Sequence, residues 1–151
     1  MVPIQKEMLK GHWTKLPPGD PNQKQFERRG GQMWMADTPG DVIRFRFRGT
    51  ECRIYDLLGP DCGRVWITVD GQRSKCPVDR FDSYCTYYRL MGFPVFRGMD
   101  GVHDVEIEVD GVQPSREAIL RRYPKEDLTQ KKYDGTKLFV CQIELVGDLI
   151  N

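Results

Sequence analysis

The sequence predicts an all-β fold: an antiparallel β-sandwich with one short helix near the C-terminal part of the chain. Apolar residues alternate with charged or polar ones in four segments, and this two-residue period is typical of strands that bury one face. The segments are residues 43–48, 65–69, 105–109 and 141–145. Turn-forming residues separate the predicted strands at intervals of roughly ten residues, a spacing that indicates a sandwich or a barrel.

The first 25 residues are predicted to form a leading segment or linker, followed by one β-sandwich domain over residues 26–151. The run Pro17-Pro18-Gly19-Asp20-Pro21 interrupts the leading segment. We expect a short helix over residues 5–9, and we expect Trp13 to anchor the segment to the body of the protein. The first strand of the domain is predicted over residues 32–36.

Six strands are predicted next, and a single helix and a last strand complete the domain. The strands cover residues 43–47, 51–57, 65–69, 75–78, 84–90 and 103–109. Turns at Gly59-Pro60-Asp61, Asp70-Gly71, Asp100-Gly101 and Asp110-Gly111 separate several of them. Pro114 suits the first turn of a helix over residues 115–123, and Pro124 ends it. The last strand is predicted over residues 138–146.

Length and composition describe one ordinary globular domain. The 151 residues are enough to build a core without disulfide or metal support, and 39% of them are hydrophobic while 30% are charged. The net charge is +1 with basic and acidic residues intermixed, which argues against a nucleic-acid partner. The sequence contains no apolar run long enough to span a membrane and no signal-peptide pattern in residues 1–10.

Five cysteines occur without the spacing of a zinc site. Because the count is odd, at least one thiol stays free. Cys62 and Cys76 flank one predicted hairpin, so a disulfide between them is an alternative to the simpler expectation of free cysteines. Cys85 is expected to be a buried structural residue rather than a nucleophile, since no histidine is predicted near it.

Several segments resemble the jelly-roll domain that lies beside the catalytic domain in bacterial SGNH (GDSL-type) hydrolases. The resemblance extends from about Phe26 to Asn151, and its motifs are Gly59-Pro60-Asp61-Cys62-Gly63, Val69-Asp70-Gly71, residues 80–89, Gly101-Val102-His103 and Val146-Gly147-Asp148. It implies a galactose-binding-like β-sandwich, related to carbohydrate-binding modules, that belongs to a larger periplasmic or extracellular protein. Residues 1–25 would then be a linker from a preceding catalytic domain. Similar sandwiches bind sugars, pack against an enzyme, or do both.

Catalysis by this chain is not expected. Asp100-Gly101-Val102-His103 matches the Asp-x-x-His spacing of SGNH esterases, but those enzymes also need a nucleophilic serine within reach of the imidazole. The sequence has no Gly-Asp-Ser, and the nearest string, Gly147-Asp148-Leu149, places leucine at the nucleophile's position. His103 opens a strand with the same parity as Val105 and Ile107, so it is expected to cap the edge of the core and to donate a hydrogen bond to a backbone carbonyl.

Two readings of the charged strand face stay open. Glu106 and Glu108 lie two residues apart on one strand, within the separation of about 5 to 9 Å that glycosidase carboxylates need. Arg44 and Arg46 are expected opposite them, and ordinary cross-strand ion pairs would explain all four residues without catalysis.

The aromatic residues suggest carbohydrate binding. Flat rings stack on the apolar face of a sugar, and planar charged groups bond its hydroxyls. Trp66 alternates out of the core, so it either forms such a plate or is covered by a loop. Tyrosines near a predicted turn could line a rim. The predicted ligand-binding residues are Trp66, Arg44, Arg46, Glu106, Glu108, Tyr84, Tyr87 and Arg89.

Two functions are therefore considered. The first is a non-catalytic carbohydrate-binding accessory module with a glycan ligand, part of a larger SGNH-type esterase. The second is a structural docking domain without a sugar site that packs on a partner catalytic domain; an apolar patch around Trp13 and Leu16 would favour it. No cofactor is predicted, although a structural calcium ion held by Asp37, Asp41 or Asp148 is an alternative, since many domains of this fold bind one.

Overall fold

The fold is mainly antiparallel β-sheet, as the sequence predicted, with 48% of residues in strands and 13% in helices. The structure, a computed structural model, describes residues 1–150. Its strands are β1 (Val2–Pro3), β2 (Leu9–Lys10), β3 (Thr14–Lys15), β4 (Trp34–Ala36), β5 (Val42–Leu58), β6 (Arg64–Val69), β7 (Gln72–Arg73), β8 (Val78–Asp79), β9 (Arg89–Val109) and β10 (Leu138–Ile150). Its helices are α1 (Pro21–Gly30) and α2 (Arg116–Ile119), with 3₁₀ turns at Lys6–Met8 and Lys131–Tyr133.

All ten strands belong to one hydrogen-bonded sheet. Its main order is β3-β4-β10-β5-β9-β6-β7, while β1 pairs with β10, β2 with β5 and β8 with β6. Three long neighbours, β10, β5 and β9, form the centre. Because these strands bury residues from both of their halves in one common core, the sheet folds over on itself as a sandwich does.

A β-bulge in β5 keeps one face of this long strand inside the core. Ile43 and Phe45 are buried in the first half of the strand, whereas Cys52 and Ile54 are buried in the second half, so the buried parity changes from odd to even. The change falls at Thr50, which is left out of both strand ladders. One extra residue shifts the side-chain alternation by one, which bends the strand and returns apolar side chains to the same core.

A row of three glycines crosses the sheet beside this bulge. Gly49 pairs with Gly147 on one side and with Gly101 on the other. A Cβ atom on Gly49 would lie 2.1 Å from the carbonyl oxygen of Val146, and one on Gly147 would lie 2.0 Å from the carbonyl oxygen of Arg48. The backbones therefore approach each other more closely than any other residue type permits.

Several predicted elements differ from the observed ones. The strands predicted at 43–47 and 51–57 are one continuous strand, because the bulge bends the chain without ending its pairing. The strand predicted at 84–90 is wrong over most of its length: residues 83–86 form turns, and β9 begins at Arg89. The helix predicted at 115–123 is present but ends at Ile119, and the helix predicted at 5–9 is a single 3₁₀ turn.

Residues 1–25 contribute pairing and cover to the sheet. Three of their strands pair with β10, β5 and β4. Helix α1, which the sequence analysis did not predict, begins where the Asp20 side chain accepts hydrogen bonds from the amides of Asn22 and Gln23. The second cluster of buried side chains contains Met33, Leu57 and Cys141, and Phe26 of α1 packs against it. Within residues 1–150, no helix is long and apolar enough to cross a membrane.

Candidate functional site

The exposed face of β5, β9, β6 and β7 brings together five of the predicted ligand-binding residues. Strand register places Arg44 opposite Glu106, Glu106 opposite Thr68, and Thr68 opposite Arg73. The neighbouring row toward one end of the strands places Trp66 opposite Glu108. The neighbouring row toward the other end places Arg46 opposite Asp104. We call this surface the Trp66 face; it consists of Arg44, Arg46, Trp66, Thr68, Arg73, Asp104, Glu106 and Glu108.

Ion pairs connect the charged residues of the Trp66 face. The Arg44 guanidinium lies 2.8 Å from Oε1 of Glu106, which confirms the expected cross-strand pair. Arg46 pairs instead with Asp104, with 2.7 Å between Nε and Oδ1, and this contact raises the pKa of the arginine. About half of each of these side chains is exposed, so the pairs order the surface but contribute little stability.

Trp66 is half-buried, and one face of its indole ring is covered. The Arg73 guanidinium carbon lies 4.5 Å from the ring centroid, and Nη1 of the same arginine donates to Glu108 over 3.1 Å. This cation–π contact restricts the orientation of the ring. Trp66 is therefore a rigid aromatic group inside a row of planar charged groups.

Arg73 was not among the residues predicted from the sequence, although the sequence contains a signal for it. Asp70 and Gly71 both have positive φ, 51° and 78°, which is the backbone of a two-residue hairpin turn. Such a turn pairs the residues on either side of it, so Thr68 must face Arg73. Counting outward from Asp70-Gly71 would have placed this arginine beside Trp66.

The remaining predicted residues, Tyr84, Tyr87 and Arg89, lie elsewhere. Arg89 pairs with Leu58 at the end of β5 opposite to the end that carries Arg44. Both tyrosine rings are exposed, by 46% and 54%, and the Arg89 guanidinium carbon lies 5.3 and 5.8 Å from their centroids. The structure thus divides the predicted residues into the Trp66 face and a separate loop rim.

Asp82 organises this rim. Its carboxylate accepts hydrogen bonds from the backbone amide of Tyr84 over 2.9 Å and from the Arg89 guanidinium. Burial opposes its ionisation, but these bonds outweigh that effect and lower the pKa of Asp82. Cys85 is buried beneath the same loop, which raises the pKa of its thiol to about 11. A thiol with a raised pKa is a poor nucleophile.

His103 occupies a structural position. Its ring lies 3.9 Å from that of Phe96, centroid to centroid, and its Nε2 lies 3.3 Å from the Met99 carbonyl oxygen. Nδ1 lies 2.8 Å from Oδ2 of Asp70. The contacts place the imidazole at the core edge, as predicted, and its carboxylate partner is Asp70 on the neighbouring hairpin.

Of the three aspartates considered for calcium, two lie in the loop between β4 and β5 and the third lies on a strand. Asp37 follows β4, Asp41 precedes β5, and Asp148 lies on β10 opposite Arg48. Asp41 is buried and accepts a hydrogen bond from the His12 backbone amide over 2.8 Å. Within residues 1–150, no three His, Cys, Asp or Glu side chains come together in a way that would hold a metal ion.

Comparison with known proteins identifies similar folds. No family model and no curated protein matches the chain. A family two carbohydrate esterase from Cellvibrio japonicus superposes with a TM-score of 0.57 at 10% identity, over 98% of this chain and 33% of the esterase. A two-domain esterase active on acetylated mannans gives 0.54 at 14% identity, over 95% of this chain and 38% of that one.

A third similar structure, a Paenibacillus xanthan lyase, gives a TM-score of 0.52 at 14% identity, over 97% of this chain and 13% of the lyase. The present chain therefore spans between 13% and 38% of the length of each of these enzymes. At such low identity, the similarity establishes the fold: an antiparallel β-sandwich that also occurs as one part of larger proteins.

Proposed function

We propose that this chain is a non-catalytic carbohydrate-binding accessory module of a larger enzyme, as its resemblance to the jelly-roll domain of SGNH-type esterases implies. The similar solved structures support the proposal because all three are carbohydrate-active enzymes, and in each of them the part that matches this chain is a minority of the whole protein. The chain also lacks the Gly-Asp-Ser sequence that an SGNH nucleophile needs.

The observation that carries the proposal is the position of Trp66 within a row of paired ions. An indole supplies the apolar plate on which a pyranose ring stacks, and the guanidinium and carboxylate groups supply planar donors and acceptors for its hydroxyls. Arg73 holds the ring in place through their 4.5 Å contact. A preorganised surface loses little conformational entropy when a glycan binds.

We expect the Trp66 face to bind glycans with modest affinity and to discriminate little between neutral and charged glycans. The face is open and its carboxylates and guanidiniums already satisfy one another, so a sugar hydroxyl must exchange with water at their free edges. Such wet polar contacts give small net gains, and most of the binding free energy would come from the indole.

A glycan array followed by titration calorimetry on any hit tests this function. Trp66→Ala should abolish binding while circular dichroism shows the fold intact. Tyr123→Ala is the matched control, since Tyr123 is an exposed aromatic residue in the loop after α2 and lies outside the Trp66 face. Binding that survives in Trp66→Ala would show that the Trp66 face is not the site.

A docking domain is the second candidate. The apolar patch expected around Trp13 and Leu16 is not exposed, because Leu16 is buried and Trp13 packs against the main core. Exposed apolar side chains occur instead beside the glycine row, at Met99, Val102 and Val146. A folded protein that binds nothing on the array would favour this second function.

A further inference from the structure

A cavity of about 430 Å³ lies between helix α1 and the end of the sheet where β5 finishes and β9 begins. It is separate from the Trp66 face. Its volume falls within the range of about 300 to 1,000 Å³ that is usual for small-molecule sites. The residues that line it are Gln25, Phe26, Arg28, Arg29, Tyr55, Tyr88, Arg89 and Leu90.

The charge of this cavity is positive. Three arginines line it and no carboxylate does. Arg89 is paired with Asp82, but within the described residues neither Arg28 nor Arg29 lies within 4.0 Å of a carboxylate. Both belong to the last turn of α1, where a cation is favoured by the helix dipole. Their charge is thus stabilised by the helix but not neutralised by a side chain.

The walls of the cavity are aromatic and partly fixed. Tyr88 donates a hydrogen bond from its hydroxyl to Asp61 over 2.8 Å, and its ring packs edge-on against Phe139 with 5.9 Å between centroids. Phe26 and Tyr55 are half-buried and pack against the second core cluster. A ligand with an apolar ring face would find rigid surfaces here rather than side chains that must first be ordered.

We propose that this cavity binds a carboxylated sugar, a uronate residue of an acidic glycan. The proposal rests on the proposed function, because it assigns an acidic substrate class to a second surface of the same glycan-binding module. A uronate combines the two features that the cavity accommodates: a planar carboxylate, which guanidinium groups bind with two parallel hydrogen bonds, and a pyranose face, which packs on aromatic rings.

The size and lining of the cavity favour a sugar over an acidic peptide. A glutamate or aspartate side chain would use the arginines but leave Phe26, Tyr55 and Tyr88 without contact. Neighbouring sugars of the same chain could extend onto the loop rim, where the exposed rings of Tyr84 and Tyr87 flank Arg89.

Titration calorimetry with tetragalacturonate and with its methyl ester tests the inference, since the two ligands share their rings and the ester replaces each carboxylate with an uncharged methyl carboxylate. We expect the acid to bind at least about tenfold more tightly than the ester, and the double variant Arg28→Gln/Arg29→Gln to lose this difference. Arg121→Gln/Arg122→Gln removes the same charge from an exposed pair after α2 and should bind like the unmodified protein.

Other results would overturn the inference in distinguishable ways. Equal affinity for acid and ester, or equal loss in both arginine double variants, would show that no carboxylate site exists in the cavity. Poly-glutamate that binds as tightly as the oligosaccharide would show that the site does not select sugars. If the cavity bound no carboxylate but neutral glycans bound and lost this binding only in Trp66→Ala, the proposed function would stand without the inference. If the folded protein bound no saccharide at all, both the inference and the proposed function would be overturned.

Discussion

Arg80 and Asp56 form an ion pair inside the protein. Nε and Nη2 of the arginine lie 2.8 and 3.0 Å from the two carboxylate oxygens, and both side chains are buried. The guanidinium also lies 4.4 Å from the ring centroid of Phe93. This geometry pairs both charges, and it connects the loop before residue 82 to the C-terminal end of β5.

Replacing one partner should destabilise the protein strongly, because the buried side chain that remains would lose the group that compensates its charge and hydrogen bonds. We expect Arg80→Met to lower the free energy of unfolding by about 3 to 5 kcal/mol in urea denaturation. The double variant Asp56→Leu/Arg80→Met should lose much less than the sum of the two single changes. Additive losses would show that the two side chains are not coupled.

Asp70 should make stability depend on pH. The hydrogen bond from His103, followed by one from the backbone amide of Asp104, lowers the pKa of Asp70 below its usual 3.8. A carboxyl with a lowered pKa in the folded state stabilises the protein above about pH 4, and this contribution is lost as the pH falls toward the folded value. The effect is small because about half of the side chain is exposed.

Thermal unfolding of the wild type and of Asp70→Asn, compared at several pH values, measures this contribution. We expect the variant to melt at a lower temperature at pH 6 and the two melting temperatures to converge as the pH falls below about 4. A difference that stays constant down to pH 2.5 would assign the effect to packing rather than to the charge of Asp70.

Among the secondary-structure elements, the central strands are distinguished by a bend. Thr50 is bulged out of both ladders, and the glycine row at residues 147, 49 and 101 lies beside it. The period of the side chains identified the strands on both sides of the bend. The alternation could not show that the two segments form one strand, because a bulge and a tight turn both interrupt the alternation of side chains by one residue.

Gly147→Ala tests the bend. The new Cβ would lie 2.0 Å from the Arg48 carbonyl oxygen at a φ of +144°, so the backbones must separate. We expect a loss of at least about 2 kcal/mol in the free energy of unfolding. Gly19→Ala is the control: a Cβ there would meet nothing within 4 Å, and stability should stay within about 0.5 kcal/mol of the wild type. If both substitutions changed the free energy of unfolding equally, the close backbone approach at Gly147 would be refuted.

At the scale of the whole molecule, four of the five cysteines are buried in its cores and all five are free. Burial raises the pKa of the thiols of Cys52 and Cys141 to about 12. Cys62 is buried while Cys76 is exposed, so the alternative of a disulfide between them is not realised. Thiol reactivity therefore reports on whether the whole fold is intact.

Ellman's reagent should detect one reactive thiol in the native protein and five in guanidinium chloride. The native signal should disappear in Cys76→Ser, since Cys76 is the exposed cysteine among the five. Native reactivity that remains in this variant would mean that a core opens far more readily than its burial indicates.

Alternation of residue type determined the fold class, most of the strand positions and the outward direction of Trp66, Arg44 and Glu106. A strand exposes alternate side chains whatever it pairs with, so local sequence is sufficient for these features. Local sequence also contained a start signal for α1, because Asp20 caps this helix and Pro21 occupies its first position. It was less informative at residues 84–90, where the ion pair between Asp82 and Arg89 helps to decide the conformation.

Only the tertiary structure decided which functional residues share a surface. The sequence grouped Trp66 with Tyr84, Tyr87 and Arg89. Strand pairing instead places Trp66 beside Glu108 near one end of β9, whereas Arg89 begins the other end. The cavity beside Arg28 and Arg29 likewise forms only where α1 packs on the sheet. Register and packing depend on the total burial of apolar surface across distant segments, and no single segment of the sequence contains that information.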